Sequence, residues 1–155
     1  MEIRYISSDD IEKISELVWV VFSEFVAPGY SEEGVGTFKS FVQPEELKKS
    51  IDNGRFFILA CFEEEKPMGT IAMRDNCHVS LLFVDKEYHG RGIARKLYEE
   101  AVRKCKEENP GLDEVTVNSS PYAVEIYKRL GFEITGEQAT QNGITFAPMR
   151  MRIRR

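Results

Sequence analysis

A chain of 155 residues with 42% hydrophobic and 30% charged side chains has the balance of a folded domain, not a disordered one. One core of that size would bury about 68–70% of the unfolded surface, while a net charge of −5 argues against general attraction to nucleic acid. Three cysteines without metal-ligand spacing, no apolar run near ~18 residues and no apolar leader argue against a zinc site, a disulfide framework, membrane insertion and secretion.

The expectation is one cytoplasmic domain over residues 1–155, with Cys61, Cys77 and Cys105 as reduced core thiols and no metal. Alternation around Ile3 and Tyr5 predicts a first strand over residues 2–7. Ser8 or Asp9 caps a helix whose stripe runs Ile11, Ile14, Leu17, Val18, Val21, Phe22 and Phe25, ending at Pro28-Gly29. Trp19 and Val20 lie off that stripe, so a second helix or a partner subunit is expected to cover them. The glycine-rich segment 27–36 reads as a loop, followed by a helical region broken at Pro44 and stopped at Asn53-Gly54. Arg55 to Phe62 and Pro67 to Arg74, joined by a charged turn, form a hairpin, and Asp75-Asn76 turns the chain into the next strand.

That strand, from near Cys77 to Val84, is an apolar run suited to burial on both faces. The turn His89-Gly90-Arg91-Gly92-Ile93-Ala94 follows, and then a helix with Ala94, Leu97, Tyr98, Ala101, Val102 and Cys105 at helical spacing, stopped by Pro110-Gly111. Two glycines at a helix start suit an anionic phosphate, because the first backbone amides lack partners and carry the positive end of the helix dipole. A Walker loop is excluded because no G-x-x-x-x-G-K-[ST] run exists. A Rossmann fingerprint is disfavoured because Arg95 stands where it needs a small third residue.

Beyond that helix, Glu114 to Asn118 alternates as a strand, parallel to the strand before the crossover. Ser120 and Pro121 open a further helix with Ala123, Ile126, Tyr127 and Leu130 on one face and Gly131 as its stop. Phe132 to Thr135 and Ile144 to Ile153 are the last strands, separated by a polar loop; Arg150, Arg152 and Arg154 mark a solvated face of the final one. The chain therefore reads as an α/β domain on a mixed, mostly antiparallel sheet.

The loop at His89 to Ala94, with LLFVD before it and SSPYAVEIYKRLGF after it, resembles the coenzyme A loop of the GNAT superfamily of N-acetyltransferases, whose pattern is Gln/Arg-x-x-Gly-x-Gly/Ala. His89 departs from the pattern at its first position, and the resemblance spans about residues 2–153. It implies a single-domain GNAT-like fold of about seven strands and about four helices, an acetyl-CoA-dependent enzyme releasing CoA, and transfer to a primary amine in a ternary complex. A noncatalytic acyl-CoA sensor on the same fold is the alternative, and a nucleotide-phosphate binder a further rival. By the same resemblance Leu82, Phe83 and Val84 pair with pantetheine. Gly90, Arg91, Gly92, Ile93, Ala94 and Arg95 wrap the pyrophosphate, with Lys96 nearby, and Asn118 and Ser120 add contacts. Tyr30, Glu32 and Glu33 border the acceptor. Tyr127 is the candidate acid for the leaving thiolate, while His78, Glu32 and Glu33 are candidate bases for the amine. The expected partner is a small-molecule or peptide amine, with no nucleic acid or membrane, acting on a monomer or homodimer.

Overall fold

Residues 1–153 are described by a computed structural model of the chain, and Arg154 lies outside the described residues. Its strands are β1 (Glu2–Tyr5), β2 (Phe56–Glu63), β3 (Lys66–Arg74), β4 (His78–Val84), β5 (Glu114–Ser119), β6 (Glu133–Ile134), β7 (Ala139–Gln141) and β8 (Ile144–Arg152). They join in the order β1-β2-β3-β4-β5-β8-β6, with β7 on β8. Only β4 and β5 pair in parallel among the described strands, as a helical crossover between them requires.

The sheet separates two cores because side chains along a strand alternate in direction. Leu59, Cys61, Ile71, Met73 and Val79 face α4 (Ile93–Glu108). Ile58, Ala60, Phe62, Ala72 and Leu81 face α1 (Ile11–Val21), α2 (Glu32–Phe41) and α3 (Pro44–Asp52). The last helix, α5 (Val124–Leu130), adds Tyr127 and Leu130 to the α4 side. Pro44 breaks the second helical region as the sequence predicts, since it occupies the first position of α3, where its missing N–H is harmless. Ser15 on α1 donates to the Val42 carbonyl at 2.7 Å, which satisfies the frayed end of α2.

Five local features differ from the sequence reading, and one is the cap of the first helical segment, made by Ser7 and Asp10 and not by Ser8 or Asp9. The first helix changes pitch: α1 gives way at Phe22–Val26 to a π turn and then to a 3₁₀ turn at Ala27–Gly29. The segment read as a loop over 27–36 is helical from Glu32, because Ser31 caps α2 by accepting from the Gly34 amide at 3.1 Å. Residues 139–141 pair with β8 as a hairpin closed by Asn142 and Gly143, whose φ values of 53° and 79° are those of a two-residue primed turn. Ala139 to Gln141 are exposed, so no apolar alternation marked the strand, although the Asn-Gly pair did mark the turn. Helix α5 starts at Val124, three residues after Pro121. Trp19 is partly covered by α2, with the Lys39 ammonium 5.6 Å from its ring centroid; Val20 stays 56% exposed.

Candidate active site

β4 and β5 share a ladder only at His78↔Thr116 and Val79↔Val117. Just beyond, β4 carries one residue more than β3: Ala72 faces Leu81 and Met73 faces Val79, so Ser80 is a bulge. The two strands part there, and from Ser80 to Val84 the β5-facing backbone of β4 has no strand partner. A cavity of about 430 Å³ fills the gap. Leu82, Phe83 and Val84 border it from β4, Asn118 and Ser120 from the end of β5, and Tyr127 from α5.

The turn after β4 forms one end of this cavity. Asp85 caps a 3₁₀ turn by accepting from the Glu87 amide at 2.9 Å. His89 folds back to donate from Nε2 to the Val84 carbonyl at 2.8 Å, so the residue that departs from the loop pattern braces the turn from within. Gly90 and Gly92 both take left-handed φ, 81° and 73°, and a Cβ on either would meet open space. That conformation turns the chain into α4 at little steric cost for glycine and at roughly 1–2 kcal/mol for an L-residue.

The start of α4 has no side-chain cap and no acid in its first turn. Its first amides and the positive end of its dipole are therefore uncompensated by protein, beside an open cradle of two glycines. These residues fit an anionic pyrophosphate. Gly90, Gly92 and Ala94 border the cavity. The side chains of Arg91, Ile93 and Arg95 do not: Arg91 lies over the Tyr88 ring at 5.1 Å, Ile93 is buried beneath the helix, and Arg95 donates to the Arg129 carbonyl at 2.6 Å.

Tyr127 is buried, packs edge-on against Phe132 at 5.3 Å, and has no protein hydrogen-bond partner for its hydroxyl among the described residues. Burial alone pushes its phenol up, so it is protonated through the neutral range. Ser120 accepts from the Ala123 amide at 3.3 Å, which commits part of its capacity to the turn before α5.

His78 and the two acids lie elsewhere. His78 opens β4, outside the cavity lining, with Nδ1 2.8 Å from Thr116 Oγ1. Burial, aided by the Arg74 charge, lowers its pKa to about 4, so it is neutral at pH 7 and a weak base. Glu32 and Glu33 are exposed in the first turn of α2 and do not border the cavity, whereas Tyr30 does, edge-on to Phe22 at 5.5 Å.

The structure also brings in residues that sequence reasoning passed over. The π turn sets Phe22 and Val26 on the cavity. It also brings Phe25 to 5.2 Å from Tyr122 and 5.5 Å from His89, an aromatic trio at the mouth. Ser80, the only polar residue between Val79 and Val84, has a buried Oγ with no hydrogen-bond partner. Its polarity within an apolar run was the available signal. Among the described residues no cluster of three or more His, Cys, Asp or Glu is placed to hold a metal, and no helix is long and apolar enough to cross a membrane.

Residues 26–153 match the family model of the acetyltransferase (GNAT) domain. An uncharacterized N-acetyltransferase of Methanocaldococcus jannaschii is 28% identical over 142 residues, covering 84% of this chain and 60% of that protein. The peptidyl-lysine N-acetyltransferase YjaB of Salmonella typhimurium is 31% identical over 78 residues, half of each chain. This chain thus spans 60% and 50% of the lengths of these relatives. The crystal structure of the PaiA N-acetyltransferase of Thermoplasma acidophilum, in complex with coenzyme A, superposes with a TM-score of 0.80 at 22% identity, covering 98% of both chains.

Proposed function

This chain belongs to the GNAT acetyltransferase family, and on that premise we propose that residues 1–155 form one N-acetyltransferase domain that moves the acetyl group of acetyl-CoA to a primary amine by direct attack in a ternary complex. The observation that carries the reading is the parting of β4 from β5 beside an uncapped helix start with two open, left-handed glycines. Bound acetyl-CoA supplies a thioester already activated toward a neutral amine: a C–N bond forms, the C–S bond breaks, the amine loses a proton and the thiolate gains one.

The residues of the chain divide the remaining work. The amides from Gly90 to Arg95 hold the pyrophosphate, and the unpaired edge of Leu82, Phe83 and Val84 holds the amide-bearing arm. Arg91 and Lys96 add positive charge near the loop, and Asn118 and Ser120 contribute polar groups from the opposite wall. Tyr127 donates the proton the departing sulfur needs; a buried phenol that stays protonated at pH 7 supports this role. The position of His78 outside the lining, and its low basicity, support a different fate for the amine's proton: loss to water at the open mouth. Holding amine and thioester together supplies most of the acceleration.

The test is acetyl-CoA consumption by the purified protein across amines, alcohols and thiols. Turnover with at least one primary amine, with kcat/KM rising through mildly alkaline pH, is the expected result. Turnover confined to alcohols or thiols, or CoA binding without turnover of any acceptor, overturns the reading.

A further inference from the structure

The half of the cavity facing α1 and α2 is walled by Val21, Phe22, Val26, Tyr30, Phe38 and Leu81. Its rings form a continuous series. Tyr30 stands edge-on to Phe22, Phe22 stacks on Phe38 at 3.9 Å between centroids, and Phe38 tilts against Phe83 at 5.9 Å. The polar groups on this side are neutral hydroxyls, those of Tyr30 and Ser80, and Ser80 Oγ is buried at the bulge without a partner.

No carboxylate faces this half among the described residues. The one acid bordering the cavity, Glu125, belongs to α5 on the opposite side and pairs with Lys128 at 3.5 Å. Near the mouth, Glu24 accepts from Lys86 at 2.9 Å, and Glu32 and Glu33 are exposed outside the lining. A polycation entering here would shed water from several charges against a wall that returns none of that solvation. A flat apolar body would lose nothing and would bury its faces against rings.

We propose that this wall is an acceptor subsite for arylalkylamines, with the aromatic body among Tyr30, Phe22 and Phe38 and the amine at the Ser80 hydroxyl. The substrate class deepens, and rests on, the N-acetyltransferase reading above. Ser80 accepts one N–H of the neutral amine, which leaves the nitrogen lone pair free to attack. An orphan buried hydroxyl is a cost to the free protein that a bound amine removes.

The experiment is calorimetric titration of the full chain, saturated with CoA, with 2-phenylethylamine, spermidine and kanamycin. Phenylethylamine is expected to bind at least about tenfold more tightly than either polycation. Ser80→Ala is expected to weaken it about tenfold while leaving the Tm of the free protein unchanged or higher, because the hydroxyl has no partner to lose. Tyr30→Glu, which adds a carboxylate to the wall, is expected to shift the preference toward spermidine, a change that loss of packing alone does not produce. Tighter binding of spermidine or kanamycin to the parent protein, no binding of phenylethylamine, or unchanged phenylethylamine affinity in Ser80→Ala overturns the proposal. Acetyl-CoA consumption is followed separately. Tight phenylethylamine binding with no turnover of any primary amine leaves the subsite standing and overturns acetyl transfer; preferential acetylation of spermidine leaves acetyl transfer standing and overturns the subsite.

Discussion

The two walls of the cavity are made in opposite ways. The wall proposed for the cofactor is one continuous stretch, from the bulge at Ser80 through the open glycines to the first turn of α4, and backbone supplies its chemistry. The wall proposed for the amine converges from the end of α1, the π turn, Tyr30, Phe38 of α2 and β4 at its bulge, and side chains supply its chemistry; the β7–β8 hairpin buttresses it from behind α2. Ser31, the cap of α2, donates to the Gly143 carbonyl across 112 positions of sequence. A site written in backbone conformation is fixed by a few glycines and a helix start. A site written in converging side chains exists only once the chain has folded.

That contrast predicts which substitutions damage one function and spare the other. The largest effect is expected at Gly92. A Cβ there meets no atom within 4 Å, so Gly92→Glu costs roughly 1–2 kcal/mol of backbone strain and leaves the protein folded. Its carboxylate would occupy the phosphate cradle, and CoA affinity should fall by more than ~100-fold, about 2.7 kcal/mol or more. Calorimetry with CoA and circular dichroism check both halves; undiminished CoA binding by the folded variant would mean that backbone does not make this wall.

Next in size is the hydroxyl proposed to protonate the leaving thiolate. Tyr127→Phe keeps the ring against Phe132 and removes only the hydroxyl. If that hydroxyl protonates the leaving thiolate, kcat should drop by about 10²–10³-fold, roughly 2.7–4.1 kcal/mol in the barrier, with CoA affinity little changed. His78→Gln, away from the cavity, should leave kcat within about twofold and the alkaline rise of kcat/KM intact. Steady-state kinetics on the two variants side by side decide between them; a Tyr127→Phe protein within twofold of the parent reduces Tyr127 to packing.

Much of the fold was legible in the sequence because its signals are local. Strand-like runs joined by a charged turn gave β2 and β3, and a continuous apolar run gave β4; Pro44 and Gly131 gave helix boundaries; the glycine pair gave the loop. The cavity-bordering residues Leu82 to Val84, Gly90, Gly92, Ala94 and Asn118 to Ser120 sit in or beside such signals. Legibility failed where a choice depended on distant packing. Glu32 and Glu33 read as candidate acceptor ligands by type and position in the loop, yet Ser31 caps α2 one residue before them and turns both to solvent. The π turn has no sequence signature, so neither Phe25 at the mouth nor the placement of Phe22 and Val26 could be read from the 3.6-residue stripe. The bulge is set by the register of β3 against β4, which a single strand does not reveal.

A smaller and one-sided effect is expected where α2 meets the hairpin. Gly34 and Gly143 approach so closely that a Cβ on Gly34 would overlap the Gly143 carbonyl, while Thr37 donates to the Asn142 carbonyl at 2.9 Å. Gly34→Ala forces the turn away from the helix, an overpacking cost of about 1–3 kcal/mol. The movement is transmitted through α2, which carries Phe38 of the wall proposed for the amine, so KM for the amine should rise several-fold while the Kd for CoA holds. A parallel loss of CoA affinity would show the two walls to be mechanically one.

The smallest expected effect concerns the start of α1, the helix that carries the amine wall. Asp10 accepts from the Ser7 amide at 2.7 Å, the Ser7 hydroxyl at 3.0 Å and Arg4 at 2.9 Å. The Arg4 bond is the main cause holding its carboxyl down to about 2, against an ordinary value of 3.8. The folded state thus binds fewer protons than the unfolded one between those values. The stability it contributes is full above about pH 4 and is lost as pH falls through about 2. The Asp10 side chain is 9% exposed but its partner Arg4 is 37% exposed, so solvent screening reduces the contribution to about 1 kcal/mol, worth about 2–4 °C in Tm. Asp10→Asn should therefore lower Tm by that amount at pH 7 and track closer to the parent as pH approaches 2, because there the parent has lost the same charge. Thermal melts of both proteins from pH 7 to pH 2 measure this convergence. A constant gap across the range would assign the role of Asp10 to its uncharged hydrogen bonds, and the entry to the amine wall would then be held without help from charge.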